Sequence, residues 1–141
     1  MNPVERQIDA DLDRVWSVVS DVDRWDDMLP TMQQVTRLDG GGPVGVGARF
    51  EVRQPGLPKA VYEITEWEPR VGFTWVANAP GVCTTATHEL RPQNGETLLV
   101  LGIAWTGALA GLVRLVMGAR ARRMVEQEAD TFAQLTKVGQ R

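Results

Sequence analysis

From residue 108 to residue 137 the sequence contains no Pro, and after Gly118 no Gly until Gly139. A stretch so free of helix breakers forms one long helix. At about 100° per residue, Val113, Met117, Ala121, Met124, Val125, Phe132 and Leu135 fall within about 120° of one another. The helix therefore carries an apolar face that something else in the chain must cover.

The preceding residues supply the cover. Val4, Arg6 and Ile8 alternate with Glu5, Gln7 and Asp9, which reads as a strand. Asp11 suits a helix N-cap, and Leu12, Val15, Trp16 and Val19 follow at helical spacing. Asp21 reads as a second cap for a short helix carrying Val22, Trp25, Met28 and Leu29, stopped by Pro30. Strands are then expected over 32–38, 47–54, 59–67, 71–78, 82–91 and 96–106. The cluster Asp39-Gly40-Gly41-Gly42-Pro43, the trio Glu68-Pro69-Arg70 and the run Pro92-Gln93-Asn94-Gly95 mark turns between them. Connections this short imply an antiparallel meander. The expected fold is α+β: one strand, two short helices, six strands and a long final helix, with a curved antiparallel sheet of about seven strands around that helix.

Composition narrows the function. The 141 residues suit one domain, 1–141. The net charge is −3, which argues against nucleic acid as a partner. One Cys and one His exclude an intrachain disulfide and the multi-Cys or multi-His metal sites, so neither metal nor cofactor is expected. The N-terminal residues MNPVERQIDADLDR are polar and acidic, unlike a signal peptide, and a cytoplasmic location is the default. The apolar run 98–119 has only Arg114 as a charge, but Gly102, Gly107 and Gly111 interrupt it. It reads as a buried strand leading into the long helix rather than a membrane span. Asp39–Gly45 is Gly-rich, yet it lacks a G-K-[ST] ending and leads into a strand, so it is not a phosphate loop.

Three segments carry a family resemblance: IDADLDRVWSVVSDVDRW near the start, the hairpin VYEITEWEPRVGFTW, and THELRPQNGETLLVLGIAWTGALAG before the last helix. With the element order, they resemble the START-like (SRPBCC) superfamily, and within it the polyketide cyclase/dehydrase and lipid-transport group. The resemblance spans essentially the whole chain. It implies the helix-grip fold and a cavity between sheet and final helix. It leaves function open, because such proteins include carriers of hydrophobic ligands, hormone sensors and aromatase/cyclases.

Strand parity selects a lining for such a cavity, since side chains alternate faces. Phe50, Val52, Tyr62, Ile64, Phe73, Trp75, Thr84, Ala86, His88, Leu101, Ile103 and Trp105 are expected to face in, joined by Met117, Ala121, Met124 and Glu128 from the helix. In 97–106 both faces are apolar, and the set with Leu101 is taken inward because it is larger. A lining that is apolar with a few polar groups suits a small hydrophobic molecule such as a lipid, polyketide-like aromatic or isoprenoid. The alternatives are a cyclase or dehydratase with His88 or Tyr62 as its acid or base, and an interaction protein that presents its helix or open pocket to a partner or membrane. His88 could equally be a core imidazole bonded to a neighbour, or a ligand's hydrogen-bond partner. Cys83 falls on the opposite strand face from His88, so no Cys–His pair is indicated. A carboxylate at Glu128, near the centre of the apolar arc, must be paired, protonated or close to water. Arg114, Arg120, Arg122 and Arg123 form a basic stretch that reads as a solvated face, with contact to a partner or to a membrane periphery as the alternative. Oligomeric state is not legible.

Overall fold

The computed structural model describes residues 2–139, with side chains as far as Thr136. Strand β1 is Val4–Ile8, helix α1 Leu12–Val19, and helix α2 Trp25–Met28, preceded by a 3-10 turn at Val22–Arg24. Strands β2 Gln34–Arg37, β3 Arg49–Arg53, β4 Ala60–Glu68, β5 Gly72–Ala79, β6 Val82–Gln93 and β7 Glu96–Thr106 follow, and helix α3 runs from Ala110 to Gly139. All seven strands form one antiparallel sheet in the order β1-β7-β6-β5-β4-β3-β2. The meander from β2 to β7 follows from the short turns. Pairing of the first strand with the last is a long-range contact, Val4 opposite Leu101.

Local chemistry sets the element ends. The Asp11 carboxylate accepts from the Arg14 amide at 2.9 Å, satisfying one of the free donors at the start of α1. Asp11→Ala is expected to lower stability by about 0.5–2 kcal/mol in urea unfolding. Asp21 does not cap with its side chain. Its ψ of 57° is not the extended conformation a capping residue needs, and its carbonyl instead accepts from the Arg24 amide at 3.1 Å to close the 3-10 turn. Helix α2 ends because the residue before Pro30 is pushed to extended geometry, and Leu29 has ψ 122°. Asn94 and Gly95 both have positive φ, 55° and 81°, the requirement of a two-residue type I′ hairpin between β6 and β7. The Gly-rich 39–45 loop is pinned by Arg37, which donates to Asp39 Oδ1 and to the Gly42 carbonyl, both at 2.8 Å.

The core lies between the inner face of the sheet and the helices. Val15 and Val19 of α1 are fully buried, whereas Trp16 and Leu12 are half-buried at the margin of the core. Trp25 is fully buried, as are Phe50, Ile64 and Phe132. Helix α3 packs chiefly along β1 and β7 and touches α1. The apolar run 98–119 divides into β7 and the first turns of α3, as expected. Among the described residues, no helix is long and apolar enough to cross a membrane. In those first turns Leu112, Leu115 and Val116 are exposed.

Candidate functional site

The register lays the inward side chains out in rows. Phe50, Tyr62, Ala77, Thr84 and Trp105 lie side by side from β3 to β7. The next row inward along β6 is Ile64, Trp75, Ala86 and Ile103. The row after that is Trp67, Phe73, His88, Leu101 and Val4. A β-bulge between Ile64 and Glu66 turns Trp67 to the inner face, where simple alternation would have placed Glu66. Successive rows are about 7 Å apart.

The third row is tightly filled. The His88 ring stacks on Phe73 with centroids 4.2 Å apart, and Trp25 packs edge-on against it at 5.4 Å. Trp25 also meets Phe73, Trp75 and Phe132 within 5.8 Å. Its indole N–H donates to the Val19 carbonyl at 3.2 Å. His88 is 6% exposed, with Nδ1 3.3 Å from the Phe73 carbonyl. Burial lowers its pKa to about 4, against the small opposing effect of that carbonyl, so the ring is neutral at pH 7. Parity places His88 on the inner face, as expected, but the ring belongs to a packed aromatic floor. Its distance from Thr84 along β6 is about 13 Å.

The first two rows differ. The apolar core separates into two clusters, one around Trp25, Phe50, Trp75 and Phe132, and a smaller one around Trp105, Ala110 and Ala121. Met117 and Met124 belong to neither cluster and are half-buried, as is Thr84. Tyr62 and Ala86 are half-buried and pack against the first cluster, and Ile103 packs against the second. Arg120 Nη1 reaches from α3 to the Gly56 carbonyl in the β3–β4 turn, at 3.3 Å.

Glu128 links Thr31 and Tyr62, by a hydrogen bond from the first and an electrostatic effect on the second. Glu128, 8% exposed, accepts from the Thr31 hydroxyl at 3.1 Å. Burial raises the Glu128 carboxyl to about 7, and the Thr31 hydrogen bond opposes that shift. Burial pushes the Tyr62 phenol up to about 12, with a further contribution from the negative charge of Glu128. Tyr62 stacks on Trp75 at 4.7 Å and 28°. Of the expected lining, Tyr62, Thr84, Ile103, Met117 and Met124 are half-buried, while Trp75, Trp105 and Glu128 are buried. Phe50, Phe73, His88 and Leu101 are buried in the packed core. The two acid–base candidates do not converge, because the Trp75 ring stands between Tyr62 and His88, 4.7 Å from one and 5.8 Å from the other.

Two residues escaped the sequence reading. Thr31, on the α2–β2 connection, is 2% exposed and supplies the sole hydrogen bond to Glu128 among the described residues. A Thr after a Pro in a loop carries no signal of that partnership across 97 positions. Trp25 was read only as an apolar helix residue, although it is the lid over His88. An open depression of about 580 Å³ is bordered by residues 66–68, 71–74, 87–89 and 100, so that Trp67, Phe73 and His88 contribute to it beside Glu66, Thr74, Thr87 and Glu89.

The sequence profile of the family described as polyketide cyclase/dehydrase and lipid transport matches residues 3–137. No curated protein matches the chain in sequence. Among solved structures, the Zhui aromatase/cyclase from Streptomyces sp. R1128 is similar at TM-score 0.74 and 18% identity, covering 99% of this chain and 94% of that one. A norcoclaurine synthase point mutant from Thalictrum flavum in complex with a transition-state analogue is similar at 0.73 and 18%, with the same coverages. Ara h 8.0201 is similar at 0.68 and 11%, covering 96% of both chains. At these identities the likeness shows the fold, the helix-grip arrangement of sheet and long C-terminal helix.

Proposed function

The chain belongs to the polyketide cyclase/dehydrase and lipid transport family, and from that premise we propose that it binds a small hydrophobic molecule in a groove between the sheet and α3. One observation supports this reading: the inward-facing Tyr62, Thr84, Ala86 and Ile103 are half-buried, as are Met117 and Met124 on α3, where a filled core would bury them. The wall is apolar and aromatic, with polar groups gathered at Glu128 and Tyr62, the usual composition of a small-molecule site. The two Met side chains give it a deformable side.

An acid–base enzyme is the second reading, and one observation favours it. A carboxyl raised to about 7 stands close enough to the Tyr62 phenol to perturb it. Any such chemistry would use Glu128 and Tyr62. Neutral His88 lies under Trp25 and Phe73, away from the groove.

Ala86 provides the test of the binding reading, because it sits between Trp75 and Ile103 in the second row with its methyl group facing the groove. Nile red, a neutral hydrophobic dye, should gain fluorescence on binding and quench the emission of Trp75. Ala86→Phe should fill the space and weaken the dye by roughly 10-fold or more, as expected when a bulky side chain excludes a ligand from its pocket. Dye binding that survives Ala86→Phe unchanged would place the ligand site elsewhere.

A further inference from the structure

We propose that the groove selects molecules carrying a cationic amine on an apolar body, and that Glu128 is the group that holds the amine. The proposal rests on the binding reading above and specifies the ligand's polar end.

The geometry around Glu128 sets up the recognition. Its carboxyl is buried and, among the described residues, accepts a single hydrogen bond, from the neutral Thr31 hydroxyl. Among the described residues, no Lys, Arg or His forms a salt bridge with it, although α3 carries Arg120, Arg122 and Arg123 on its N-terminal side. The groups that face it are few. Tyr62 approaches from β4 and Thr31 from the α2–β2 connection. One turn away on α3 stand Met124, Val125, Thr131 and Phe132, none of them charged. A carboxylate in this setting has lost water and gained no cation, which is costly unless a partner arrives from outside.

The aromatic wall has the same preference. Tyr62 and Trp75 are stacked, and Phe50 lies 6.0 Å from Trp75. The faces of such rings attract cations and repel anions. An ammonium group at Glu128 would gain an ion pair and ring contacts together, while its apolar body lay against Ile103, Met117 and Met124. A carboxylate ligand, such as a fatty acid, would meet a like charge in a poorly solvated site. An alcohol would gain only a hydrogen bond.

The pH dependence follows with a definite sign. The Glu128 carboxyl titrates near 7. An alkylamine stays protonated well above that, near the Lys value of about 10.4. Amine affinity should therefore rise several-fold between about pH 6 and pH 8, as the fraction of ionised carboxylate grows. Affinity for a neutral alcohol should stay flat.

The test compares three probes of one shape by calorimetry: naphthylethylamine, naphthylethanol and naphthylpropionate. The amine should bind roughly 10-fold or more tighter than the alcohol, as for a hydrogen bond to a charged group, and the carboxylate should bind most weakly. In Glu128→Gln the amine should fall to the level of the alcohol, and the alcohol should be unchanged, which also reports that the variant is folded. An amine advantage that survives Glu128→Gln overturns the assignment. Equal binding of all three probes overturns the selectivity and leaves the hydrophobic groove standing. Failure of all three to bind overturns both. If Glu128→Gln does not fold, the wild-type pH series decides: amine affinity that is flat or falls between about pH 6 and pH 8 overturns the proposal.

Discussion

Replacing Trp25 with Ala lowers the stability of the fold by about 3–5 kcal/mol, the range for truncating a fully buried aromatic. The indole is 0% exposed and meets Phe73, Trp75, His88 and Phe132 with ring centroids 5.2–5.8 Å apart. It thus ties the start of α2 to the sheet and to the C-terminal half of α3. Truncation also leaves the Val19 carbonyl without the indole donor it accepts from at 3.2 Å. Trp16 is the useful contrast. It is half-buried, and its one aromatic neighbour is Trp67 at 5.1 Å, itself half-buried. Urea unfolding of Trp25→Ala and Trp16→Ala side by side should therefore show the larger loss for Trp25→Ala. Equal losses would mean that the aromatic floor contributes no more than the margin of the core.

The second large effect depends on pH. The folded-state pKa of Glu128, about 7, lies above its ordinary value of 4.5. A group shifted upward favours the folded state while protonated. Its contribution is complete below the unfolded value and is lost as pH rises through the folded one. Glu128→Gln removes the charge and keeps a group able to bond Thr31. The variant should match the wild type within about 1 kcal/mol near pH 5 and exceed it by roughly 2–4 kcal/mol near pH 8. His88 titrates with the opposite consequence: its pKa is lowered, so stability falls as pH drops from about 6.5 toward 4. Because both proteins contain His88, their difference at each pH isolates Glu128. A difference that stays constant from about pH 5 to 8 would show that Glu128 titrates as an exposed carboxyl does.

The same carboxyl has two consequences. It lowers stability at neutral and higher pH, and under the proposed function it is the polar end of the binding site. Functional sites commonly carry such a cost, since groups arranged for a ligand are imperfectly satisfied without it.

Much of the fold was legible because its signals are local. The Pro-free stretch from residue 108 specified α3, and the turn clusters at 39–43, 68–70 and 92–95 delimited the strands to within a few residues. Those features act through backbone φ and hydrogen bonding over a few residues, so a sequence displays them. Asp21 is the local exception: its residue type suits a cap, but the backbone closes a 3-10 turn first.

The inner face of each strand was legible too, because alternation needs only parity. The even-numbered residues from Thr84 to Leu90 face inward together. Parity does not report depth, and depth decided the fate of His88. Thr84 is half-buried, whereas His88, four positions along the same face, is covered by Trp25 from another part of the chain. The bulge in β4, which brings Trp67 inward, was invisible for the same reason: it depends on pairing with β5. Only the tertiary structure paired β1 with β7, set α3 along those two strands and placed Thr31 against Glu128. Local chemistry thus settled which elements form and which way their side chains turn. Contacts between residues about a hundred positions apart settled how deeply each of those side chains is buried, because packing depends on how the layers meet.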